Sequence, residues 1–157
     1  MGAHSYRLST RWTGNLGTGT SSYKGYSRAH VISADGKPDI AGSSDKAFHG
    51  EVTRWNPEEL LIAALSHGHM LSFLHVAHTA GVVVETYEDV ATGVLMTRAD
   101  GSGEITEVTL RPEVTISDGN LEIVPELHHR ASTLCFIANS VKFPVAHEPV
   151  THRAVSH

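Results

Sequence analysis

The sequence has few of the features that mark secreted or membrane proteins. One cysteine, Cys135, occurs in 157 residues. A single thiol forms no disulfide within the chain, so the cysteine content does not favour an oxidising compartment. The longest apolar run, residues 60–65, is far shorter than the roughly 20 residues that cross a bilayer. The first residues lack the apolar core of a signal peptide. We therefore expect a soluble, cytoplasmic protein without a membrane partner.

Basic charge is also scarce. The chain has 12 Lys and Arg against 17 Asp and Glu, a formal net charge of -5, and the basic residues form no stripe. Binding to a phosphate backbone needs clustered positive charge, so we expect no nucleic-acid partner. The sequence also lacks a serine nucleophile elbow, a phosphate-cradling glycine loop and a zinc-peptidase helix.

The sequence does contain one well-marked helix. Asn56 has the chemistry of an N-cap, Pro57 suits the first helical position, and Gly81 is typical of a C-cap. Apolar residues between these ends fall on almost every face, which is typical of a helix surrounded by protein. A chain of about 150 residues buries only ~70 % of its unfolded surface. The pattern therefore predicts that two copies bury this helix together, as a homodimer.

Strand patterns lie on both sides of this helix. Period-two alternation and glycine-rich turns predict two strands before it and four after it, with a second helix starting at Pro125. Pro112 predicts that its strand is an edge strand or is bulged. The predicted strands cover residues 6–12, 23–32, 82–90, 91–98, 108–116 and 143–150.

The second helix carries the cysteine. Helical periodicity extends over residues 130–141 and places Cys135 on the inward face. The order of strands, helix, strands, helix and strand predicts an α+β fold. We expect a single domain of residues 1–157, with an ordered core at about 5–150 and a frayed tail at 151–157.

Two segments resemble the OsmC/Ohr family of thiol-dependent peroxidases. The first is Asn-Pro-Glu-Glu-Leu at residues 56–60, and the second is Cys-Phe-Ile-Ala-Asn-Ser at residues 135–140. The resemblance covers nearly the whole chain, and these two motifs carry it. It implies an intertwined homodimer in which antiparallel sheets wrap around two central helices, with active sites at the subunit boundary. It also implies a role in oxidative or osmotic stress, through reduction of organic hydroperoxides with a thiol reductant.

In that family a cysteine after the first motif attacks the peroxide, and a cysteine at the start of the second motif resolves the oxidised product. The resemblance places Gly68 at the attacking position and Cys135 at the resolving position. Because glycine has no nucleophile, the usual cycle cannot proceed. Two interpretations of Cys135 are open: a thiol that is oxidised and then resolved by an external thiol, or an inert buried cysteine.

The resemblance also draws attention to two charged residues. Glu58 lies ten residues before Gly68, at the spacing of a family carboxylate that orients an arginine over the attacking thiol. Arg28 is the nearest arginine candidate on the N-terminal strands. Such a pair would favour a thiolate at position 68. The alternatives are that Glu58 only compensates the helix dipole and that Arg28 is a solvated charge on a strand.

Twelve histidines are unusual for this length. Two histidines at i,i+3 on one helix face can share a metal, and histidine can act as an acid or a base. A third interpretation, which we favour, is packing with hydrogen bonds, and we predict no metal and no cofactor. The histidines near the two motifs are His67, His69, His75, His78, His128 and His129.

Two functions follow from these observations. The first is a homodimeric protein of the organic hydroperoxide reductase lineage whose peroxidase activity is weak or lost. The second is a non-catalytic dimeric binding module, with a pocket at the subunit interface for a small apolar or hydroperoxide ligand.

Overall fold

The computed structural model describes residues 1–155 and confirms a mixed α+β fold with two helices and several small sheets. It has two compact units: the N-terminal unit, Met1–Leu60, and the C-terminal unit, which begins at Leu61. The single domain stays a prediction. The helices are α1 (Pro57–Thr79) and α2 (Val124–Leu134). The strands are β1 (Ser9–Trp12), β2 (His30–Ser33), β3 (Ile40–Gly42), β4 (Val83–Asp89), β5 (Thr92–Thr97), β6 (Gly103–Leu110), β7 (Pro112–Asp118), β8 (Val145–His147) and β9 (Val150–Arg153).

The N-terminal unit contains an antiparallel sheet in the order β1-β2-β3, with Thr10 of β1 opposite Ile32 of β2. Both strands predicted here are present but shorter than their patterns indicated. The stretch before β2 is folded into turns because the Arg28 guanidinium donates hydrogen bonds to the carbonyls of Tyr23, at 2.6 Å, and Tyr26, at 2.8 Å.

The ends of α1 confirm the predicted caps. The N–H of Glu59 donates to the Asn56 side chain at 2.8 Å, and the N–H of Asn56 donates to the Glu59 carboxylate at 3.2 Å. This reciprocal pair is a capping box, with Pro57 at the first helical position. At the other end Gly81 adopts a φ of +75°, which glycine tolerates without steric cost.

A single chain buries α1 only in part. Leu71 is 58 % exposed, and only 28 % of the most apolar 18-residue window of α1 is buried. By length and composition α1 could cross a membrane, a criterion that core helices of soluble proteins also meet. One chain therefore does not enclose the helix on all faces. Its buried residues are Leu65, His69, Phe73, Val76 and Ala77.

The C-terminal unit contains two three-stranded sheets, in the orders β4-β7-β9 and β5-β6-β8. The β4–β7 and β5–β6 pairs are antiparallel, whereas β8 and β9 pair in parallel with β6 and β7. These two sheets are therefore mixed, which corrects the antiparallel sheets that the resemblance implied. The larger core cluster joins α1, α2 and the first of these sheets. Its buried members are Phe73, Val76, Ala77, Val82, Val114, Ile116, Val124, Leu127 and Ala131.

The single strand predicted at 108–116 is wrong, because the structure divides it into β6 and β7 at Arg111. The backbone N–H of Arg111 donates to the Asp89 carboxylate at 2.6 Å. Pro112 then begins β7, a position where the missing N–H is tolerated. β7 is the central strand of its sheet, so the edge strand predicted from Pro112 is wrong too. The register of the β4–β7 pair shifts beside Val84, at the end of the pair opposite Pro112.

The predicted strand at 143–150 is two strands, β8 and β9. β9 continues into the segment expected to fray, with Thr151 opposite Val114 of β7. The N–H of Ala154 donates to the carbonyl of Ile116 at 2.8 Å. The frayed tail at 151–157 is therefore wrong through Ala154, because these residues complete a sheet. Ser156 and His157 lie outside the described residues.

The helix predicted across 130–141 is also corrected, because α2 ends at Leu134 and Cys135 follows it in an extended conformation. Side chains near the end of α2 form hydrogen bonds with backbone carbonyls of the helix. These bonds compete with the backbone N–H groups that would continue the helix. The amide of Asn139 donates to the carbonyl of Thr133 at 3.0 Å. Cys135 is buried, as predicted, although it lies beyond the helix.

Candidate functional site

Gly68 of α1 and Cys135 lie against each other in the C-terminal unit. A β-carbon built on Gly68 would lie 3.1 Å from the Cys135 sulfur and 3.6 Å from Cγ1 of Ile137. In a disulfide with an S–S bond of ~2.04 Å, a β-carbon lies about 3 Å from the sulfur of the partner residue. The structure thus places the two positions paired by the motifs at disulfide spacing.

The Cys135 thiol is enclosed within the chain. It is 1 % exposed and is the only cysteine in the sequence. Attack on a peroxide requires an accessible thiolate, and internal resolution requires a second thiol. This burial favours the interpretation of Cys135 as a packed, unreactive cysteine.

Arg28 lies in the N-terminal unit and is held by local groups. Besides its hydrogen bonds to two backbone carbonyls, its guanidinium carbon lies 3.9 Å from the ring centroid of Tyr26 and 4.9 Å from that of Tyr23. Contacts at these distances are cation–π interactions. Arg28 is half-buried and precedes β2, so it is not a solvated charge on a strand.

Glu58 and Arg28 line one cavity of the N-terminal unit, about 330 Å³ in volume. No ion pair joins them among residues 1–155, because the arginine donates to backbone carbonyls instead. The buried Glu58 oxygen Oε2 has no hydrogen-bond partner in the described chain. Orientation of a group at position 68 by these residues stays a prediction. The other lining residues are Trp12, Tyr26, His30, Ser43, Ser44, Asp45, Phe48 and Pro57.

A second polar group, the histidine cluster of His69, His128 and His147, lies in the C-terminal unit. Nε2 of His69 lies 3.0 Å from Nδ1 of His128, and the His69 and His147 ring centroids are 4.5 Å apart. His128 also stacks on Phe73 at 4.0 Å. Two of the histidines singled out from sequence therefore meet in the core. The other four, His67, His75, His78 and His129, are exposed.

Burial controls the protonation of this cluster. Desolvation, with the neighbouring charges of His147 and His128, lowers the pKa of His69 to about 3. Desolvation and His147 lower the pKa of His128 to about 4. The pKa of His147 is lowered mainly by desolvation, with Asp89 acting in the opposite direction. All three rings are therefore neutral near pH 7.

Sequence reasoning missed His147. It ends a three-residue strand, and only the parallel pairing of Leu110 with His147 brings it to the core. Among residues 1–155, no group of three or more His, Cys, Asp or Glu side chains is arranged to hold a metal ion. The packed and hydrogen-bonded interpretation thus fits His69 and His128 best.

Comparisons with known proteins agree with this architecture. A family model described as OsmC-like protein matches residues 48–149. An OsmC-like protein of unknown function from Vibrio cholerae is 34 % identical and superposes with a TM-score of 0.83, over 96 % of this chain and 100 % of that one. None of the curated proteins compared matches the chain.

Two more distant structures share the fold. An OsmC-like protein from Mycoplasma pneumoniae is 14 % identical, with a TM-score of 0.73 over 95 % of this chain and 98 % of that one. The organic hydroperoxide resistance protein OhrB of Bacillus subtilis is 22 % identical, with a TM-score of 0.63 over 94 % and 98 %. The family match and the 34 % identical structure decide the assignment: this chain belongs to the OsmC-like family.

Proposed function

We propose that this protein descends from organic hydroperoxide reductases and has lost the two-cysteine cycle because Gly68 occupies the attacking position. The observation that carries the proposal is the 3.1 Å between a β-carbon at Gly68 and the Cys135 sulfur, a spacing that supports an ancestral attacker and resolver at these two positions. The fold shared with an organic hydroperoxide resistance protein supports the lineage. We place the protein in the cytoplasm, in the response to oxidative or osmotic stress.

Any remaining turnover would have to use Cys135 alone. Its thiolate would take the terminal oxygen of ROOH, giving a sulfenic acid and ROH. An external thiol would then form a mixed disulfide and release water, and a second thiol would restore Cys135. Because the thiol is buried, we expect this route to be slow. Consumption of tert-butyl hydroperoxide with dithiothreitol tests the proposal, and fast turnover by the native protein would refute it.

A second candidate function is binding without turnover, which the cavity of the N-terminal unit favours. Its walls include Trp12, Tyr26 and Phe48, and its polar residues include Arg28 and Glu58. Small-molecule sites commonly combine an apolar wall with a few polar groups. A small apolar ligand with one polar group, such as an alkyl hydroperoxide or its alcohol, fits this lining.

Binding can be measured through Trp12. In a Trp55→Phe background Trp12 is the only tryptophan, so its emission reports on the cavity. Titration with 2-phenyl-2-propanol should give a saturable change that Phe48→Ala weakens. A linear response up to millimolar ligand would rule out this site for that ligand class.

We further propose that the protein acts as a homodimer. The support is the exposure of α1, including Leu71 at 58 %, together with the apolar character of the whole helix. A monomer that leaves such a helix uncovered would expose an apolar patch prone to association. A partner subunit would cover it and complete a pocket at the interface.

A further inference from the structure

The histidine cluster has no part in the proposed function, yet it joins three elements of the C-terminal unit. His69 comes from α1, His128 from α2 and His147 from β8. The first two are 1 % and 2 % exposed. Where buried histidines contact one another, hydrogen bonds stabilise the contact and a buried charge destabilises it. The protonation state of the rings therefore decides whether the contact persists.

The cluster is compatible with neutral rings only. One N–H lies between Nε2 of His69 and Nδ1 of His128, and in either tautomer one ring donates and the other accepts. The outer nitrogens, Nδ1 of His69 and Nε2 of His128, are buried and have no partner in the described chain. A proton added to either ring would thus create a buried cation with no acceptor for its extra N–H.

The surrounding groups give such a cation little compensation. His128 stacks on Phe73, whose ring face offers a buried cation only weak attraction. The charge of Asp89 on β4 favours protonation of His147, whereas the charge of His129 on α2 disfavours it. The Asp89 carboxylate already accepts from the Ser66 hydroxyl at 2.5 Å and from the Arg111 N–H at 2.6 Å.

Tyr87 of β4, whose ring centroid lies 5.8 Å from that of Phe73, is neutral near pH 7. Desolvation, with a smaller contribution from Asp89, raises the pKa of its phenol far above the ordinary value of 10. Its hydroxyl oxygen is buried and has no partner in the described chain. A neutral phenol adds no negative charge to offset a protonated imidazole.

Cys135 lies between the two helices that the contact of His69 with His128 joins. His69 is adjacent in sequence to Gly68, against which the Cys135 sulfur packs. His128 lies on α2, whose last residue, Leu134, immediately precedes Cys135. Separation of the two rings would therefore also loosen the contact that covers the thiol.

We propose that the histidine cluster is an acid-sensitive latch: proton uptake by His69 or His128 detaches α2 from α1 and exposes Cys135 to solution. The protein then exposes this thiol to solution in acid and conceals it at neutral pH. This inference does not depend on peroxidase activity.

The direction of the effect follows from proton linkage. The ordinary pKa of histidine is 6.5, and burial lowers the pKa of His69 to about 3 and of His128 to about 4. Between these values and 6.5 the opened chain binds more protons than the closed chain, so falling pH favours opening. Well above pH 6.5 both states are neutral at these rings, and the latch is insensitive to pH.

The test is the labelling rate of Cys135 with 4,4′-dithiodipyridine, which reacts with thiols in acid. The rate is divided by that of the urea-unfolded chain at the same pH, which gives a protection factor. We expect this factor to be constant above about pH 7.5 and to fall roughly tenfold or more per pH unit from 6.5 to 4.5. Far-UV circular dichroism should stay native over the range in which labelling begins.

Two outcomes would overturn the latch. One is a protection factor that does not change down to pH 4.5. The other is labelling that begins only where circular dichroism shows global unfolding, because the histidines would then set acid stability without a local opening.

Variants test whether the pH dependence of Cys135 labelling comes from the histidine cluster. His69→Gln with His128→Asn keeps side chains that hydrogen-bond but do not titrate, and it should flatten the pH dependence. His75→Gln, at an exposed position of the same helix, is the matched control and should retain the full slope. An unchanged slope in the double variant would refute the proposal.

If the double variant does not fold, histidine NMR of the native protein replaces it. The rings of His69 and His128 should stay neutral at pH 5.5 in the closed form. Protonation of either ring there, with Cys135 still protected, would refute the latch.

Discussion

A β-carbon at Gly68 would lie 3.1 Å from the sulfur of Cys135, which is tight for an unbonded contact and close to the spacing within a disulfide. The two residues come from segments more than sixty positions apart, so the fold itself sets this distance. The geometry permits a covalent bond that the native sequence cannot form.

Gly68→Cys should restore that bond and with it a peroxidase cycle. We expect hydroperoxide turnover to rise roughly 100-fold over the native protein, because an attacking thiol and a resolving thiol then face each other. Mass spectrometry of non-reduced peptides after peroxide treatment should show a 68–135 disulfide. Gly68→Ser is the control of matched size without a thiol. A Gly68→Cys protein that folds but forms neither bond nor activity would mean that the pocket has diverged from its ancestral chemistry.

Cys135→Ser should abolish whatever slow turnover the native protein shows, since it removes the only thiol. Burial of a hydroxyl in place of the thiol should lower the free energy of unfolding by about 1–3 kcal/mol. Steady-state assays and urea denaturation check the two effects separately. Turnover that persists in the variant would shift attention to chemistry outside Cys135.

Sedimentation should give twice the 16.9 kDa chain mass, because α1 leaves apolar surface uncovered within one chain. Leu71→Glu should weaken the dimer by placing a charge on that surface. Leu16→Glu makes the same change at a loop residue that is 71 % exposed, and it should leave the mass unchanged. A stable native monomer at micromolar concentration would contradict the assembly.

Asn56→Ala should lower the free energy of unfolding by about 1 kcal/mol, since it removes the cap of the longest helix. Glu59→Gln keeps an acceptor for the Asn56 N–H and should cost less than half as much. Urea midpoints at constant m-value measure both variants. Equal losses would show that the charge of Glu59 stabilises this end as much as the Asn56 cap does.

The parts of the fold predicted from sequence are those specified by local chemistry. The start of α1 depends on Asn56, Pro57 and Glu59, which are neighbours in the chain, so their spacing alone identifies the helix. The end at Gly81 is equally local. The pairing of Gly68 with Cys135 was predicted from the family resemblance. Periodicity relates only residues that are close in the sequence, so it does not predict a contact between these two positions.

The parts that sequence missed depend on distant partners. The break between β6 and β7 needs the Asp89 carboxylate opposite Arg111. His147 joins the core only through parallel pairing with Leu110. Arg28 donates hydrogen bonds to the carbonyls of Tyr23 and Tyr26 instead of pairing with Glu58, the expected partner. The alternation of polar and apolar residues carries no information about which of these groups the arginine binds.

The parallel strands β8 and β9 have a consequence for how the protein is made. Each sheet of the C-terminal unit takes its third strand from residues 145–153, so neither sheet is complete until that stretch has left the ribosome. Until then β6 and β7 each present an open edge, which can pair with another chain. The emergence of residues 145–153 from the ribosome therefore closes the open edges of β6 and β7.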